Sequence, residues 1–421
     1  MPNVFDSKIP IPINFPGIKI VRYEIDERGD YFLYAESTAT SEKCYKCGRT
    51  ITYKHCLDEP ITVRHFDILG HRVFIIVRPI RFRCFYCDDH PTTTQRFPWR
   101  TGKSPYTKDF EKYILKQMIN STIEDVSKKE NIGYDSIVGI LDRSISSNID
   151  WNELLDIKTL GLDEISLRKG HKDFVTMVSA INVKEELKIL AVLPGRDEDT
   201  VSQFLKTIPE EVKIKIKSAC IDMYRSYRNS VEKELPNVSI VTDRFHVAKA
   251  YRKCFDDFRK RELARLKKEL PEEKQGDIKN TMWPLRKRED SLDDDEKSSL
   301  EAFFQHSEVL RKAYRLREDL TDIFEDNITP EEAKIKIDTW KEEVKNSGLN
   351  CYDPFLTTLS NWEPYILNYF KERLSSGFVE GLNNKAKVLK RRCYGMKNVV
   401  NFFKRFVLDI NLAPQLLPNP P

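Results

Sequence analysis

Apolar and polar residues alternate through the first ninety positions. Ile18–Ile25 and Asp30–Ser37 flank the turn Asp26–Gly29, and Ile61–Phe66 and Val73–Phe82 flank Leu69-Gly70, which predicts two hairpins. Pro98 to Pro105, with Gly102 and Ser104, has the composition of a linker. The period then changes to that of helices. Phe110, Ile114 and Met118 recur at every fourth position. Ser121 with Glu124 predicts a capping box opening a second helix, Thr122–Lys129, which Asn131-Ile132-Gly133 breaks. A third helix carries Ile137, Leu141 and Ile145 on one face, and the three together form a helix-turn-helix pattern.

From 157 to 246 the pattern becomes α/β. Expected strands are Thr159–Ile165, Phe174–Asn182, Leu187–Leu193, Lys217–Asp222 and Ser239–Thr242, with helices near Asp199–Ile208 and Tyr224–Leu235. Residues from about 247 to 370 read as helical and charge-dense. Ten of the fifteen residues 256–270 are charged, beside a sparse stripe of Phe255, Phe258, Leu266 and Leu270, which reads as a solvated helix face. Ser291–Lys297 reads as a loop between helices. A last helix should start at Ser375-Ser376-Gly377 and end at Gly395.

A length of 421 residues suggests two to four domains. With 23 Phe, 17 Tyr and 5 Trp, disorder is excluded as the general state. No apolar run approaches the ~20 residues of a membrane span, and no signal peptide is visible. A cytoplasmic, reduced setting without a membrane partner is therefore expected. The net charge of +4 identifies no partner, because 70 basic and 66 acidic residues nearly cancel. Their placement says more. Arg78, Arg81, Arg83, Arg96, Arg100, Lys103 and Lys108 face only two acids between Arg78 and Lys108. Beside a helix-turn-helix this suggests a composite DNA reader, with Arg96 and Arg100 on phosphates.

Four of the nine cysteines form two C-x2-C knuckles, Cys44-Tyr-Lys-Cys47 and Cys84-Phe-Tyr-Cys87. Each knuckle aims two thiolates at one point, so the pair can complete a closed tetrahedral site for one structural Zn2+. The alternative is unliganded cysteines, against which the paired spacing argues. His55, Cys56 and His90 stay outside the expected ligand set, and Cys220, Cys254, Cys351 and Cys393 read as packing residues.

Two aspartates follow apolar runs that belong in buried strands: Asp163 in Leu160-Gly-Leu-Asp163-Glu164 and Asp222 in Ala219-Cys-Ile-Asp222-Met223. A buried carboxylate is costly unless solvated, paired or metal-bound. In an RNase H-like sheet the first and fourth strands are neighbours, and these carboxylates would converge as a two-Mg2+ site requires. Each alone could equally cap the next helix. The last expected helix carries Glu380, Asn384, Lys387 and Arg391 on one stripe and Phe378, Leu382, Leu389 and Cys393 on another. From Gly381 to Leu408 there are eight Lys/Arg and no acid. A carboxylate followed by a basic track suits a phosphodiester backbone, with a solvated amphipathic helix as the plainer reading.

Taken in order, the two knuckles, the helix-turn-helix, Leu160–Glu164, Ile221-Asp-Met-Tyr224, Thr242-Asp-Arg-Phe-His-Val247, Val379-Glu-Gly-Leu-Asn-Asn-Lys385 and Arg391-Arg-Cys-Tyr-Gly395 resemble the ISL-type transposases of bacterial insertion sequences. These are zinc-finger-bearing DDE enzymes with RNase H-like catalytic domains. The resemblance covers nearly the whole chain from about residue 40. It implies a multidomain fold: a β-rich zinc-binding domain (1–97), an all-α helix-turn-helix domain (105–148) and an α/β RNase H-like catalytic domain (157–421) with an all-helical insertion at about 255–370. It implies a catalytic triad of Asp163, Asp222 and Glu380 holding two Mg2+ (or Mn2+) ions. Asp243 and His246 resemble the DxxH signature shared with Mutator-like transposases and stand as accessory residues, with a structural role for His246 equally open. Asn384, Lys387, Arg391 and Arg392 join Arg96 and Arg100 as expected DNA contacts. The implied partners are double-stranded DNA, as transposon ends and target, and further copies of the chain in a homodimer or higher synaptic oligomer. The implied location is the bacterial cytoplasm at the nucleoid. The alternatives are a non-catalytic zinc/helix-turn-helix DNA-binding regulator derived from a transposase, and a nuclease that cleaves without joining.

Overall fold

The computed structural model describes residues 15–146, 149–166, 174–279, 281–373, 377–393 and 398–417. The chain forms two units, Met1–Ile145 with Leu412–Pro421, and Ser146–Asn411.

The first unit opens with strands β1 (Ile18–Ile25), β2 (Tyr31–Ser37), β3 (Glu42–Lys43), β4 (Thr50–Ile51), β5 (Lys54–Leu57), β6 (Ile61–Ile68), β7 (His71–Val77), β8 (Ile80–Arg83) and β9 (Thr92–Thr94). The two expected hairpins lie in one sheet of order β1-β2-β7-β6, joined by a parallel β2–β7 pairing. Leu69 and Gly70 both take positive φ, +52° and +84°, the twist a tight two-residue hairpin turn needs. Leu33, Val63, Val73, Ile75 and Val77 form its buried face. The expected single strand Val73–Phe82 is instead two. Pro79 lacks the N–H a ladder needs, and beyond it β8 joins a separate sheet of order β5-β8-β9. The expected linker is packed as well. Trp99 is buried against Phe15 and Phe97, with ring centroids 4.9 Å from each, and its Nε1 donates to the Pro16 carbonyl.

Three helices follow: α1 (Lys108–Met118), α2 (Ile123–Glu130) and α3 (Tyr134–Ser144). Phe110, Ile114 and Met118 are buried as their spacing predicts. The cap of α2 is Thr122, not Ser121. Thr122 is the residue with extended backbone, and its hydroxyl accepts from Asp125 N. Asn131, in the left-handed region at φ +46°, turns the chain into α3.

The second unit is built on β10 (Ile157–Ser166), β11 (Phe174–Asn182), β12 (Leu187–Leu193), β13 (Ser218–Ile221) and β14 (Ser239–Thr242), in the order β12-β11-β10-β13-β14. β11 is antiparallel to both neighbours, whereas β10, β13 and β14 are parallel. Parallel pairs need crossovers, supplied by α4 (Glu198–Lys206) and α5 (Glu210–Lys213) before β13 and by α6 (Arg225–Glu234) before β14. Leu160, Leu162, Ala219, Ile221, Ile240 and Val241 are buried, which accounts for the unbroken apolar runs of these strands.

Helices α7 (Arg244–Glu269), α8 (Asp294–Gln305), α9 (Glu308–Glu325), α10 (Pro330–Asn346), α11 (Asp353–Leu367) and α12 (Tyr369–Glu372) follow, with a core that includes Trp340, Tyr352 and Phe355. Two expectations change here. The charge-dense part of α7 is not simply solvated: Arg259 and Glu262 are buried, Arg259 paired with Asp256 at 2.7 Å and Glu262 with Arg265 at 2.6 Å, while Ser307 donates to Glu262. The expected loop Ser291–Lys297 contains the first turn of α8, which a capping box of Asp293 and Glu296 starts. The unit ends with α13 (Gly377–Arg392) and α14 (Val399–Val407). The expected start of α13 at Ser375-Ser376 and its end at Gly395 lie outside the described residues.

Candidate functional site

In the first unit the knuckles meet. The sulfurs of Cys44, Cys47, Cys84 and Cys87 all lie within 4.8 Å of one another. Cys47 and Cys84 are 3.7 Å apart, and Cys84 and Cys87 3.8 Å. Four thiolates at ~2.3 Å around a tetrahedral ion stand about 3.8 Å apart, so the cluster is already spaced for zinc. The turn of β3 and β4 holds the first knuckle, where Cys44 N donates to the Arg49 carbonyl and Gly48 N to that of Cys44. The backbone N–H groups of Cys47 and Lys46 aimed at Cys44 hold its thiol down at about 6, whereas burial and the other sulfurs push Cys87 up to about 12. His55, Cys56 and His90 are not in the cluster. His55 Nε2 faces Arg83 at 3.0 Å, and His90 Nδ1 lies 3.2 Å from the Cys84 carbonyl oxygen.

In the second unit Asp163 on β10 and Asp222 just beyond β13 converge. Leu162 pairs with Ile221 in parallel register, so the next residue on each strand is the aspartate. Both are buried, at 3% and 7% exposure. The Glu164 N–H donates to Asp163 at 2.6 Å. Burial first, then the adjacent Asp163 carboxyl with which it shares a hydrogen bond, pushes Asp222 up to about 10. Two carboxyls this close and this buried could hold a metal ion.

The chain after β14 returns to the same spot. Asp243 caps α7 by accepting from Phe245 N at 2.7 Å, and its own N–H donates to the Ile221 carbonyl at 2.9 Å. One turn on, His246 Nε2 lies 3.1 Å from Asp222 Oδ1 and 3.8 Å from Asp243 Oδ2. Asp163, Asp222 and His246 thus offer three ligand atoms within 4.8 Å of one another.

Glu380 lies in the first turns of α13, and its side chain lies outside the described residues. The helix itself packs on β10, with Leu382, Ala386 and Leu389 buried and Lys390 Nζ donating to the Ser166 carbonyl at the end of that strand. Asn384, Lys387, Arg391 and Arg392 are exposed. Arg96 is exposed, whereas Arg100 is half-buried and its guanidinium donates to the Ser104 carbonyl. Both border a groove of about 1000 Å³ where Arg81 and Lys103 are offset by Glu42, Asp58 and Glu59.

Sequence reasoning missed Arg196. It pairs with Glu164, next to Asp163, and its guanidinium lies 4.1 Å from the Phe174 ring and 4.8 Å from that of Tyr224. Its only sequence signal is its place in the turn after β12, which carries no motif.

A family model for transposases, of the ISL3 DDE type, matches residues 160–406. The chain belongs to that family. The ISL3-type match spans Asp163, Asp222, Asp243, His246 and Glu380, and the cysteine cluster precedes it. The transposase for insertion sequence element IS1001 of Bordetella parapertussis is 26% identical over 392 residues, 92% of this chain and 93% of that one. The transposase for insertion sequence element IS1557 of Mycobacterium tuberculosis is 20% identical over 407 residues, 90% and 89% of the two chains. Among solved structures, the Drosophila P element transposase strand transfer complex aligns at a TM-score of 0.42 and 11% identity, over 76% of this chain and 94% of that one, a level that does not bear on the fold. No described helix of this ISL3-type transposase is long and apolar enough to cross a membrane.

Proposed function

We propose that this transposase binds the terminal inverted repeats of a bacterial insertion sequence and catalyses Mg2+-dependent DNA cleavage and strand transfer through Asp163, Asp222 and Glu380. The observation that carries the reading is the meeting of two buried carboxyls, Asp163 and Asp222, within the family-matched region. The strand order, with one antiparallel strand between β10 and β12 and parallel β10, β13 and β14, supports an RNase H-like catalytic domain. The packing of α13 on β10 supports Glu380 as the third acid.

Two divalent ions (Mg2+ or Mn2+) bound there would activate the attacking hydroxyl and stabilise the leaving 3′-oxygen. The residues supply the rest. Asp163 and Asp222 hold the cations from rigid neighbouring strands, so little reorganisation is left for the reaction. The proton on metal-free Asp222 must leave as cations enter, which makes cation binding fall with decreasing pH. The acid-free surface of Asn384, Lys387, Arg391 and Arg392 suits a phosphate backbone running on from Glu380. The cysteine cluster would hold one structural Zn2+, and that region (1–97) with the helix-turn-helix (105–148) would read the ends. Tyr45, Lys46, Arg49 and Tyr86 at the knuckles, all exposed, favour that role, as does exposed Arg96. The catalytic domain is assigned to 157–421, with the helical insertion at about 255–370. Paired ends require a homodimer or a larger synaptic complex, and the bacterial cytoplasm at the nucleoid is the matching location.

The test is to incubate the purified protein with labelled DNA carrying the element's ends, with Mg2+. End cleavage and strand-transfer products are expected. Specific binding without cleavage would instead support a DNA-binding regulator, and cleavage without joining a nuclease.

A further inference from the structure

His246 sits beside the two aspartates for reasons built into the backbone. Asp243 both caps α7 and bonds to the Ile221 carbonyl, so the first turn of α7 is fastened to the end of the strand that presents Asp222. That fastening sets His246 Nε2 at 3.1 Å from Asp222 Oδ1, within 4.8 Å of an Asp163 oxygen. The imidazole is only 26% exposed, yet open enough to be reached. Two adjacent donors around an octahedral ion at 2.0–2.1 Å stand about 3 Å apart. The 3.1 Å between Nε2 and Oδ1 is the length of a direct imidazole–carboxyl contact and also that of two neighbouring ligands on one ion, so an ion could enter without large movement of either side chain.

We propose that His246 is itself a ligand, so that one cation position of the site is held by two carboxylates and one imidazole nitrogen. The inference rests on the two-aspartate reading of the site given above. Carboxylates alone suit Mg2+, whereas an added imidazole shifts preference toward ions that accept nitrogen. This position therefore favours Mn2+ over Mg2+ more than an all-carboxylate site would.

The experiment uses the full-length, untagged, zinc-loaded protein titrated with Mn2+ and read by pulsed electron paramagnetic resonance for 14N coupling to the bound ion. Wild type is expected to show that coupling. His246→Ala is expected to lose it, with Mn2+ affinity falling about tenfold or more and Mg2+ affinity falling less. Bound Mn2+ with no 14N coupling in wild type, or coupling unchanged in His246→Ala, overturns the proposal whatever the variant's stability. Asp222→Asn separates this outcome from failure of the site itself. Loss of Mn2+ binding there upholds the carboxylate site, and full binding there removes it and the ligand role of His246 with it.

Discussion

Asp163 on β10 and Asp222 just beyond β13 stand side by side, one step past the paired residues Leu162 and Ile221. Such a pair destabilises the metal-free fold, because like charges in a buried site cannot both ionise. Asp222→Asn keeps the shape and removes one acid. Its metal-free thermal midpoint is expected to exceed that of wild type, by about 1 kcal/mol in stability. Mg2+ should raise the midpoint of wild type and leave that of the variant nearly unchanged. A variant that is less stable and still responds to Mg2+ would count against the site. Differential scanning calorimetry with and without Mg2+ reads both.

The cysteine cluster makes a separate prediction. Purified protein should contain one zinc per chain by atomic emission, and Cys84→Ser should contain none. Cys84 is fully buried beside Phe82, so losing the ion leaves the small β5-β8-β9 sheet without its fastening. A loss of several kcal/mol from the first unit is expected, visible as earlier urea unfolding. Equal zinc content in the variant would refute the four-sulfur site.

Asp30 gives the first unit a pH dependence. It is buried, accepts from Arg72 N at 3.0 Å and from Arg72 Nε at 2.8 Å, and the Arg72 guanidinium holds its carboxyl below the usual range. A carboxyl depressed in the folded state contributes stability above its unfolded value of about 3.9 and loses it as pH falls through the lower folded value. Asp30→Asn should therefore be less stable than wild type from pH 5 to 8. The gap should narrow as pH drops below about 3.9. Urea midpoints across that range test it, and a gap independent of pH would exclude the ion pair as its source.

Trp340 holds the helices between β14 and α13 together. It is 1% exposed, packs on Tyr352 and Phe355, and donates from Nε1 to the Leu316 carbonyl at 2.7 Å. Trp340→Ala should cost about 3–5 kcal/mol in calorimetric stability. Trp340→Phe should cost less, through the lost hydrogen bond and a smaller void.

Local elements were legible because short-range patterns determine them. Strands Ile18–Ile25, Phe174–Asn182, Leu187–Leu193 and Ser239–Thr242 have the bounds their apolar patterns predict. The four cysteines were legible because C-x2-C spacing constrains two sulfurs to one point. What periodicity could not give was partnership across the chain. The parallel β2–β7 pairing, the burial of Arg259 and Glu262, and the Arg196–Glu164 pair depend on residues far apart in sequence. Asp163 and Asp222 were visible as costly acids in apolar runs, and their convergence was expected only through an assumed RNase H-like strand order, which periodicity does not supply. His246 was visible only as a motif residue, and its 3.1 Å approach to Asp222 is a product of the α7 cap.

The proposed chemistry needs all three acids, Asp163, Asp222 and Glu380, and it turns on Glu380. The direct measurement compares Glu380→Ala and Asp222→Ala with wild type in the end-cleavage and strand-transfer reaction, with DNA binding measured in parallel. Both variants are expected to bind the ends normally and to lose cleavage and joining by several orders of magnitude. Full activity in Glu380→Ala would contradict the assignment.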